Sequence, residues 1–330
     1  MENYIVLDLE WNQGYKETEV PELPFEIIEI GAVRLDKDKN VTGEFSCLIK
    51  PQVYRTMHYM TSKIVNITMN DLINEQEFQN VMDKFLTWCG KDYIFCTWGT
   101  LDLVELQRNI KYFGMEPLAD GPLMYLDIQK IFSISEEDGK SRRTLEYAVD
   151  YKNIEKNDSF HRALSDAYYT AMIFQNISDR NVEKRVSFDV YHIPSDKSRE
   201  IHITFDDYSK YISRAFNDKS EAFADREVMS TRCFVCNKNA KRRVNWFTVN
   251  GKHYFSLIEC REHGYMRAKL RIKKADDGGI YVIKTIKKID QKAAAEVYSK
   301  AKKARFHQNA ISYIKNQNGQ IPNGSGDSAV

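Results

Sequence analysis

Tyr4-Ile5-Val6-Leu7-Asp8-Leu9-Glu10 decides how the rest of this 330-residue chain is read. Tyr-Ile-Val-Leu is a β-branched and aromatic run of the kind that forms a buried strand. Two carboxylates, Asp8 and Glu10, then interrupt an apolar run that could have continued. Residues i and i+2 of a strand point to one face, so the two acids share a side of the sheet. Alone, the pair reads most simply as the place where a strand ends and its acids meet water. Its meaning depends on whether other segments supply more carboxylates.

Working outward, Glu26 to Leu35 reads as a second strand, Asp36 to Asn40 as a hairpin turn, and Gly43 to Lys50 as a third strand stopped by Pro51. Phe78, Val81, Met82, Phe85, Leu86 and Cys89 recur at helical spacing. Tyr93 to Trp98 is a fourth strand ended by Gly99, and Trp98, which completes it, reads as a core aromatic. Asp102 then opens a helix whose apolar face is Leu103, Leu106, Ile110 and Phe113. Leu123 to Phe132 fits a strand or a short helix, and Thr144 to Tyr151 a helix. Phe160 to Phe174 reads as a further helix, with His161 near its start and Asp166 beside the apolar face of Leu164, Ala167, Ala171 and Phe174. A carboxylate in that position needs a partner, because an unpaired buried charge is expensive.

Four acids at strand ends and helix starts can therefore converge: Asp8, Glu10, Asp102 and Asp166. Such an oxygen-rich cluster suits hard divalent cations. Two of these ions, ~4 Å apart, can clamp the attacking and leaving oxygens of a phosphodiester. A neutral imidazole beside them, here His161, can take a proton from the attacking water.

Leu7-Asp-Leu-Glu10, Trp98-Gly-Thr-Leu-Asp102 and His161-Arg-Ala-Leu-Ser-Asp166 follow one another in the order of the three motifs of the DEDD 3′–5′ exonucleases. The stretch from residue 3 to 178 resembles that superfamily in its histidine-bearing (DEDDh) subgroup. Relatives with a tyrosine in the third motif carry it four residues before the last Asp, where this chain has Arg162. Thr61 to Thr68 is similar to the family's segment before its first long helix. The resemblance implies an α/β, ribonuclease-H-like mixed sheet flanked by helices. It also implies two Mg²⁺ or Mn²⁺ ions, with Asp8 bridging them, Glu10 and Asp166 completing the site of the attacking water, Asp102 holding the second ion through water, and His161 as general base. Leu9 and Trp11 are the expected substrate contacts. Trp11 stands where many relatives have a small or hydroxylated residue, and its ring can stack on a terminal base or close the core.

The second half differs in composition. Residues 1–185 hold 21 Lys and Arg against 31 Asp and Glu, a balance of −10, whereas residues 186–330 hold 27 against 16, a balance of +11. That asymmetry suggests an acidic module joined to a basic, nucleic-acid-binding one. Ser187 to Pro194 and Glu200 to Phe205 read as paired strands. Cys233-Phe-Val-Cys236 and Cys260-Arg-Glu-His263 are two short knuckles with the spacing of a tetrahedral zinc site, His263 fitting better than His253. Arg243 to Val249 and Lys252 to Ile258 read as strands around an Asn250-Gly251 turn, so this part looks like a zinc ribbon holding one structural Zn²⁺. Around the knuckles, cations such as Arg242, Arg267, Lys269 and Arg271 alternate with Trp246, Phe247, Tyr254 and Phe255, a pattern suited to single strands. Asp290 to Ile314 reads as a basic helix.

The expected organisation is an exonuclease domain over 1–183, a basic zinc-ribbon-like region with a terminal helix over 184–315, and a disordered tail over 316–330. Cys47, Cys89 and Cys96 stand singly in apolar surroundings, so no disulfide framework is expected. No apolar run reaches the ~20 residues of a membrane span and no secretory leader is visible, which points to a cytoplasmic protein. The partner implied is the 3′ end of single-stranded RNA or DNA. Two rivals remain at this stage: a non-catalytic binding or scaffold protein on the same fold, and a ribonuclease-H-like endonuclease.

Overall fold

The computed structural model describes residues 3–156, 160–177, 185–189, 191–248, 250–275 and 278–318, with side chains described up to 305. The chain divides into two units, Met1–His192 and Ile193–Val330. Residues 182–184 of the expected boundary, Val249, and residues 319–330 of the expected tail lie outside the described residues.

In the first unit, β1 spans Asn3–Gln13, so Asp8 and Glu10 lie inside the strand rather than at its end. It is joined by β2 (Phe25–Asp36), β3 (Val41–Leu48), α1 (Tyr59–Ile64), α2 (Met69–Leu72), α3 (Phe78–Cys89), β4 (Tyr93–Thr97), α4 (Leu101–Tyr112), β5 (Met124–Asp127), α5 (Ile128–Glu136), α6 (Leu145–Tyr151), α7 (Ala163–Gln175) and β6 (Ser187–Phe188). The sheet runs β3-β2-β1-β4-β5-β6. β4 and β5 are parallel to β1 and to each other, while β2 is antiparallel to both β1 and β3. This is the ribonuclease-H-like mixed sheet that the resemblance implied. The segment that fitted either a strand or a helix is both: β5 carries Leu126 and Asp127, and Asp127 caps α5 by accepting from Lys130 N at 2.8 Å.

Alternation along β1 separates core from site. Ile5, Leu7 and Leu9 enter a cluster with Val81, Met82 and Phe85 of α3 and Leu103 and Leu106 of α4. Tyr4, on the other face, meets Phe174 of α7 edge-on at 5.0 Å. Asp8 and Glu10 share that second face, two and three pleats further along.

The second unit holds β7 (Ile201–Thr204), β8 (Tyr208–Ile212), α8 (Lys219–Ala224), α9 (Arg226–Met229), β9 (Lys241–Thr248), β10 (His253–Cys260), β11 (Gly264–Lys274), β12 (Ile280–Lys288) and α10 (Gln291–Asn318). Its sheet is antiparallel in the order β7-β8-β12-β11-β10-β9. The pairing expected between Ser187–Pro194 and Glu200–Phe205 does not form. Ser187–Phe188 adds to β5, and Ile201–Thr204 pairs with β8. The expected β9–β10 hairpin is present, but inside a larger sheet than a bare ribbon. Ala294, Val297 and Ala301 of α10 pack on Val244, Phe247 and Leu257. No described helix is long and apolar enough to cross a membrane.

Candidate active site

Asp8, Leu9, Glu10 and Trp11 of β1, Trp98 after β4, Asp102 in the first turn of α4, and His161 and Asp166 line one cavity of about 500 Å³. Each segment arrives for a local reason. The β1–β2 register shifts between Glu10 and Trp11, an irregularity that re-aims side chains beyond it. Gly99, at φ +109°, turns the chain from β4 into α4 and so delivers Asp102. Asp102 is buried.

Two acidic residues of β2 that carried no role in the sequence reading set the frame. Glu29 lies directly opposite Glu10 and is buried. Its carboxylate takes the Arg162 guanidinium at 2.8 Å and the Ala163 N–H at 3.1 Å, holding the start of α7 against the strand. Gly31 faces Asp8, and the α7 backbone packs so closely there that an added Cβ would stand 2.1 Å from the Ala163 carbonyl carbon. Glu26, also buried, accepts from the N–H groups of Gln52, Val53 and Tyr54 at 2.6 to 3.0 Å. Asn12 completes that anchorage: its amide donates to Tyr54 O and Thr56 O and its oxygen accepts from His58 N. The result is that α1 presents Met60, Thr61 and Ile64 to the cavity, with Met60 and Ile64 exposed. The signal in the sequence was a charge inside Ile27-Ile-Glu-Ile30, where a strand buried on both faces should have none.

His161 stands before α7 rather than on it. It is exposed, takes a left-handed backbone at φ +67°, and donates its N–H to Asp166 Oδ2 at 3.1 Å. Side-chain atoms of Glu10, His161 and Asp166 lie within 4.8 Å of one another. Trp11 is half-buried, its ring 5.5 Å from Phe25, and Leu9 is buried yet borders the cavity. Trp98 is not the core residue expected. It is half-buried, donates its indole N–H to Arg143 O at 3.1 Å, and forms part of the cavity wall.

Electrostatics distinguish the carboxyls from an ordinary acidic surface. Burial first, then Asp102, Asp166, Glu10 and Glu29, holds Asp8 well above the usual carboxylate range. Burial and the neighbouring acids push Glu10 up to about 8. Asp102 rises to about 7 and Asp166 to about 6, each chiefly through burial. Asp166 Oδ1 is buried without a hydrogen-bond partner. Mutually repelling oxygens and an orphaned buried acceptor fit a site for a hard divalent cation.

A second constellation lies in the other unit. Cys233, Cys236, Cys260 and His263 offer ligand atoms within 4.8 Å of one another. Cys233 Sγ and Cys260 Sγ are each 3.6 Å from His263 Nδ1, and Cys236 Sγ is 3.7 Å from Cys260 Sγ. Tetrahedral zinc has edges of about 3.8 Å between sulfurs and about 3.6 Å between sulfur and nitrogen, from its usual bond lengths. The residue after each knuckle, Asn237 at φ +54° and Gly264 at φ +71°, is left-handed, which turns both ligand pairs inward. The His263 hydrogen bond, chief among several, brings Cys260 down to about 6. His253, the rival ligand, instead contacts Asn250 in the hairpin at 3.0 Å.

Among known proteins, the chain is 25% identical over 181 residues to a PolC-type DNA polymerase III of Clostridium perfringens, covering 53% of this chain and 11% of the polymerase. The chain thus spans about a tenth of the length of that relative. Among solved structures it is similar to the nuclease domain of 3′hExo, a DEDDh family member bound to rAMP, at 18% identity over 56% of this chain and 96% of that one, with a TM-score of 0.49. It is also similar to E. coli exonuclease I in complex with a dT13 oligonucleotide, at 16% identity over 56% and 42% of the two chains, with a TM-score of 0.45. The family model described as Exonuclease matches residues 5–174, just over half of the chain, and the chain belongs to that family.

Proposed function

We propose that this chain is a metal-dependent 3′–5′ exonuclease that hydrolyses the terminal phosphodiester bond of single-stranded nucleic acid and releases nucleoside 5′-monophosphates. The observation that carries the reading is the convergence of Asp8, Glu10, Asp102, Asp166 and His161, from three separate segments, on one cavity. A binding or scaffold protein has no use for four crowded carboxyls that repel one another.

Asp8, Glu10 and Asp166 would hold one of two Mg²⁺ or Mn²⁺ ions, and Asp8 with Asp102 the other. Bound there, such ions supply Lewis-acid charge for the attacking water and for the phosphate oxygens. The chain does the rest. His161, at the mouth of the cavity, removes the proton from the attacking water, and its exposure lets that proton pass on to solvent. Its left-handed backbone, tied to Asp166, fixes where the imidazole starts from. Trp11, Leu9, Met60 and Ile64 form apolar walls on which the terminal nucleoside rests, holding the phosphate over the carboxyls. In the second unit, Cys233, Cys236, Cys260 and His263 are assigned one structural Zn²⁺.

The test is cleavage of 5′-labelled single-stranded RNA and DNA of matched sequence with Mg²⁺ or Mn²⁺, beside an EDTA control and Asp8→Ala. A metal-dependent ladder shortening from the 3′ end, absent in Asp8→Ala, is the expected result, and the faster strand names the substrate. Internal fragments, or wild-type rates from Asp8→Ala, overturn the reading.

A further inference from the structure

The cations of the second unit do not form one surface. Strand register sorts them. On β11, Arg267, Lys269, Arg271 and Lys273 alternate with Met266, Ala268, Leu270 and Ile272. The apolar set is turned to the core, Met266 and Ala268 packing with Ile258 and Ile286. The four cations therefore share the opposite face, one every two residues, or about 6.6 Å apart along the strand; on the β10 side of that face Leu257, opposite Arg267, and Phe255, opposite Lys269, pack with α10. Arg267 and Lys269 are half-buried, and Arg271 and Lys273 exposed.

Across the ladder, Lys269 lies opposite Phe255, and its ammonium sits 5.7 Å from that ring. Arg271 lies opposite His253. Among the described residues no carboxylate pairs with any of the four. Four other cations of this unit are paired with acids: Arg214 with Glu200 and Asp225, Lys238 with Glu262, Arg243 with Glu259 and Lys287 with Asp207. Burial, then Arg271 and Arg267, keeps Lys269 below the usual lysine range. Burial and Lys269, Arg271 and Lys252 lower His253 likewise. Like charges on neighbouring positions of one sheet face oppose folding, and a row of them without acids is a cost that a bound polyanion relieves.

We infer that the β11 face is a binding track for the phosphate backbone of a single nucleic-acid strand, with Arg267, Lys269, Arg271 and Lys273 meeting successive phosphates. The even repeat of the cations along an extended strand suits a polymer with evenly spaced charges, and separate cations on an extended row suit it better than one compact anion. The track rests on the exonuclease reading only for the choice of nucleic acid as the polyanion.

The experiment uses the full chain with its zinc retained, without chelator and without added Mg²⁺ or Mn²⁺, so that cleavage is idle, with a fluorescein-labelled 20-nucleotide single strand followed by anisotropy between 50 and 300 mM salt. Wild type is compared with Arg271→Glu/Lys273→Glu, with Arg267→Gln/Lys269→Gln, and with a control pair in the first unit that matches the larger of these charge changes, Lys91→Glu/Lys140→Glu. Each β11 pair is expected to weaken binding about tenfold or more and to flatten the salt dependence by about two charges, the control pair leaving both unchanged. Hydrolysis of the p-nitrophenyl ester of thymidine 5′-monophosphate, a single-nucleotide substrate, is expected to stay at the wild-type rate in both β11 pairs. Unchanged affinity and slope in folded β11 variants overturn the track. Displacement of the strand by polyglutamate at equal charge concentration also overturns it, in favour of an acidic protein partner. If wild type cleaves neither the ester nor any strand with Mg²⁺ or Mn²⁺ added, the exonuclease reading fails, while the binding data still decide the track.

Discussion

The Arg162 guanidinium grips the Glu29 carboxylate through two nitrogens, Nη2 at 2.8 Å and Nε at 3.1 to 3.2 Å, and the same carboxylate accepts from Ala163 N–H. One buried acid thus fixes both the approach and the first turn of the helix that carries Asp166. Glu29→Ala strands three donors at once. The stability loss expected is about 2 kcal/mol, less than for a fully buried pair because Arg162 is partly exposed. Activity should fall further than stability explains, since Asp166 and His161 lose their placement. Glu29→Gln, which keeps an acceptor for Ala163 N–H, should recover part of the activity. Thermal melts and single-turnover rates on the three proteins check this, and equal rates for Glu29→Ala and wild type would show that α7 is held by other means.

Gly31→Ala tests the same junction from the backbone. With only 2.1 Å between the added methyl carbon and the backbone of Ala163 and Leu164, neither a rotamer change nor a flexible neighbour can absorb it. The helix must lift, at a cost of about 3 kcal/mol or more. The melting temperature should fall sharply and metal-dependent turnover should be lost with it. A fully active, fully stable Gly31→Ala protein is incompatible with the close packing of α7 on β2.

The acids of the site give a pH dependence of defined sign. Glu10 keeps its proton up to about pH 8 when folded, against a usual value of 4.5. The metal-free folded chain therefore binds more protons than the unfolded chain between those values, and its stability falls as pH rises through them. Glu10→Gln carries no such proton. Without metal, the variant should gain on wild type steadily from pH 5 to pH 8. Mg²⁺ or Mn²⁺ should stabilise wild type most at the upper end, where Glu10, Asp102 and Asp166 have all ionised. Melting curves of both proteins across that range, with EDTA and with metal, decide it; a constant difference at every pH would mean that Glu10 is an ordinary carboxylate.

His161 separates catalysis from architecture. Its positive φ is tolerated well by Asn, so His161→Asn should fold with an unchanged melting temperature. Removing the general base should cost roughly 10²- to 10⁴-fold in turnover. Metal-dependent stabilisation should survive, because the four carboxyls are intact. A variant that loses metal binding as well would place His161 among the ligands instead.

Much of this was legible because the physics is local. Asp8 and Glu10 stand out as charges in a β-branched run, and the helical spacing of Leu103, Leu106 and Ile110 fixes which side of α4 Asp102 leaves. Glu29 and Glu26 escaped notice because their partners, Arg162, Ala163 and the Gln52–Tyr54 amides, come from distant segments that no spacing rule links. Trp98 was assigned to the core from the apolar run it ends, yet the strand stops one residue earlier, at Thr97, and frees its ring for the cavity. β11 was hidden by its own charges: Arg267, Lys269 and Arg271 drew attention as cations, although their alternation with Met266, Ala268 and Leu270 is a period-two strand signal.

Metal removal tests the second constellation independently of the first. If Cys233, Cys236, Cys260 and His263 hold Zn²⁺, protein purified without chelator should carry one zinc per chain, released by thiol modification and detected with a colorimetric zinc dye. Mg²⁺ should not replace it, because thiolate and imidazole favour the softer ion. The knuckles bracket the β9–β10 hairpin, and the second leads directly into β11, so loss of the ion should melt this sheet. Hydrolysis of a single-nucleotide ester by the other unit should persist where strand binding is lost. Cys260→Ser should reproduce the stripped protein, since it removes the sulfur that lies close to both Cys236 Sγ and His263 Nδ1. Zinc-free protein with an unaltered melting curve would mean that the four side chains stabilise the turns through their own contacts, without an ion.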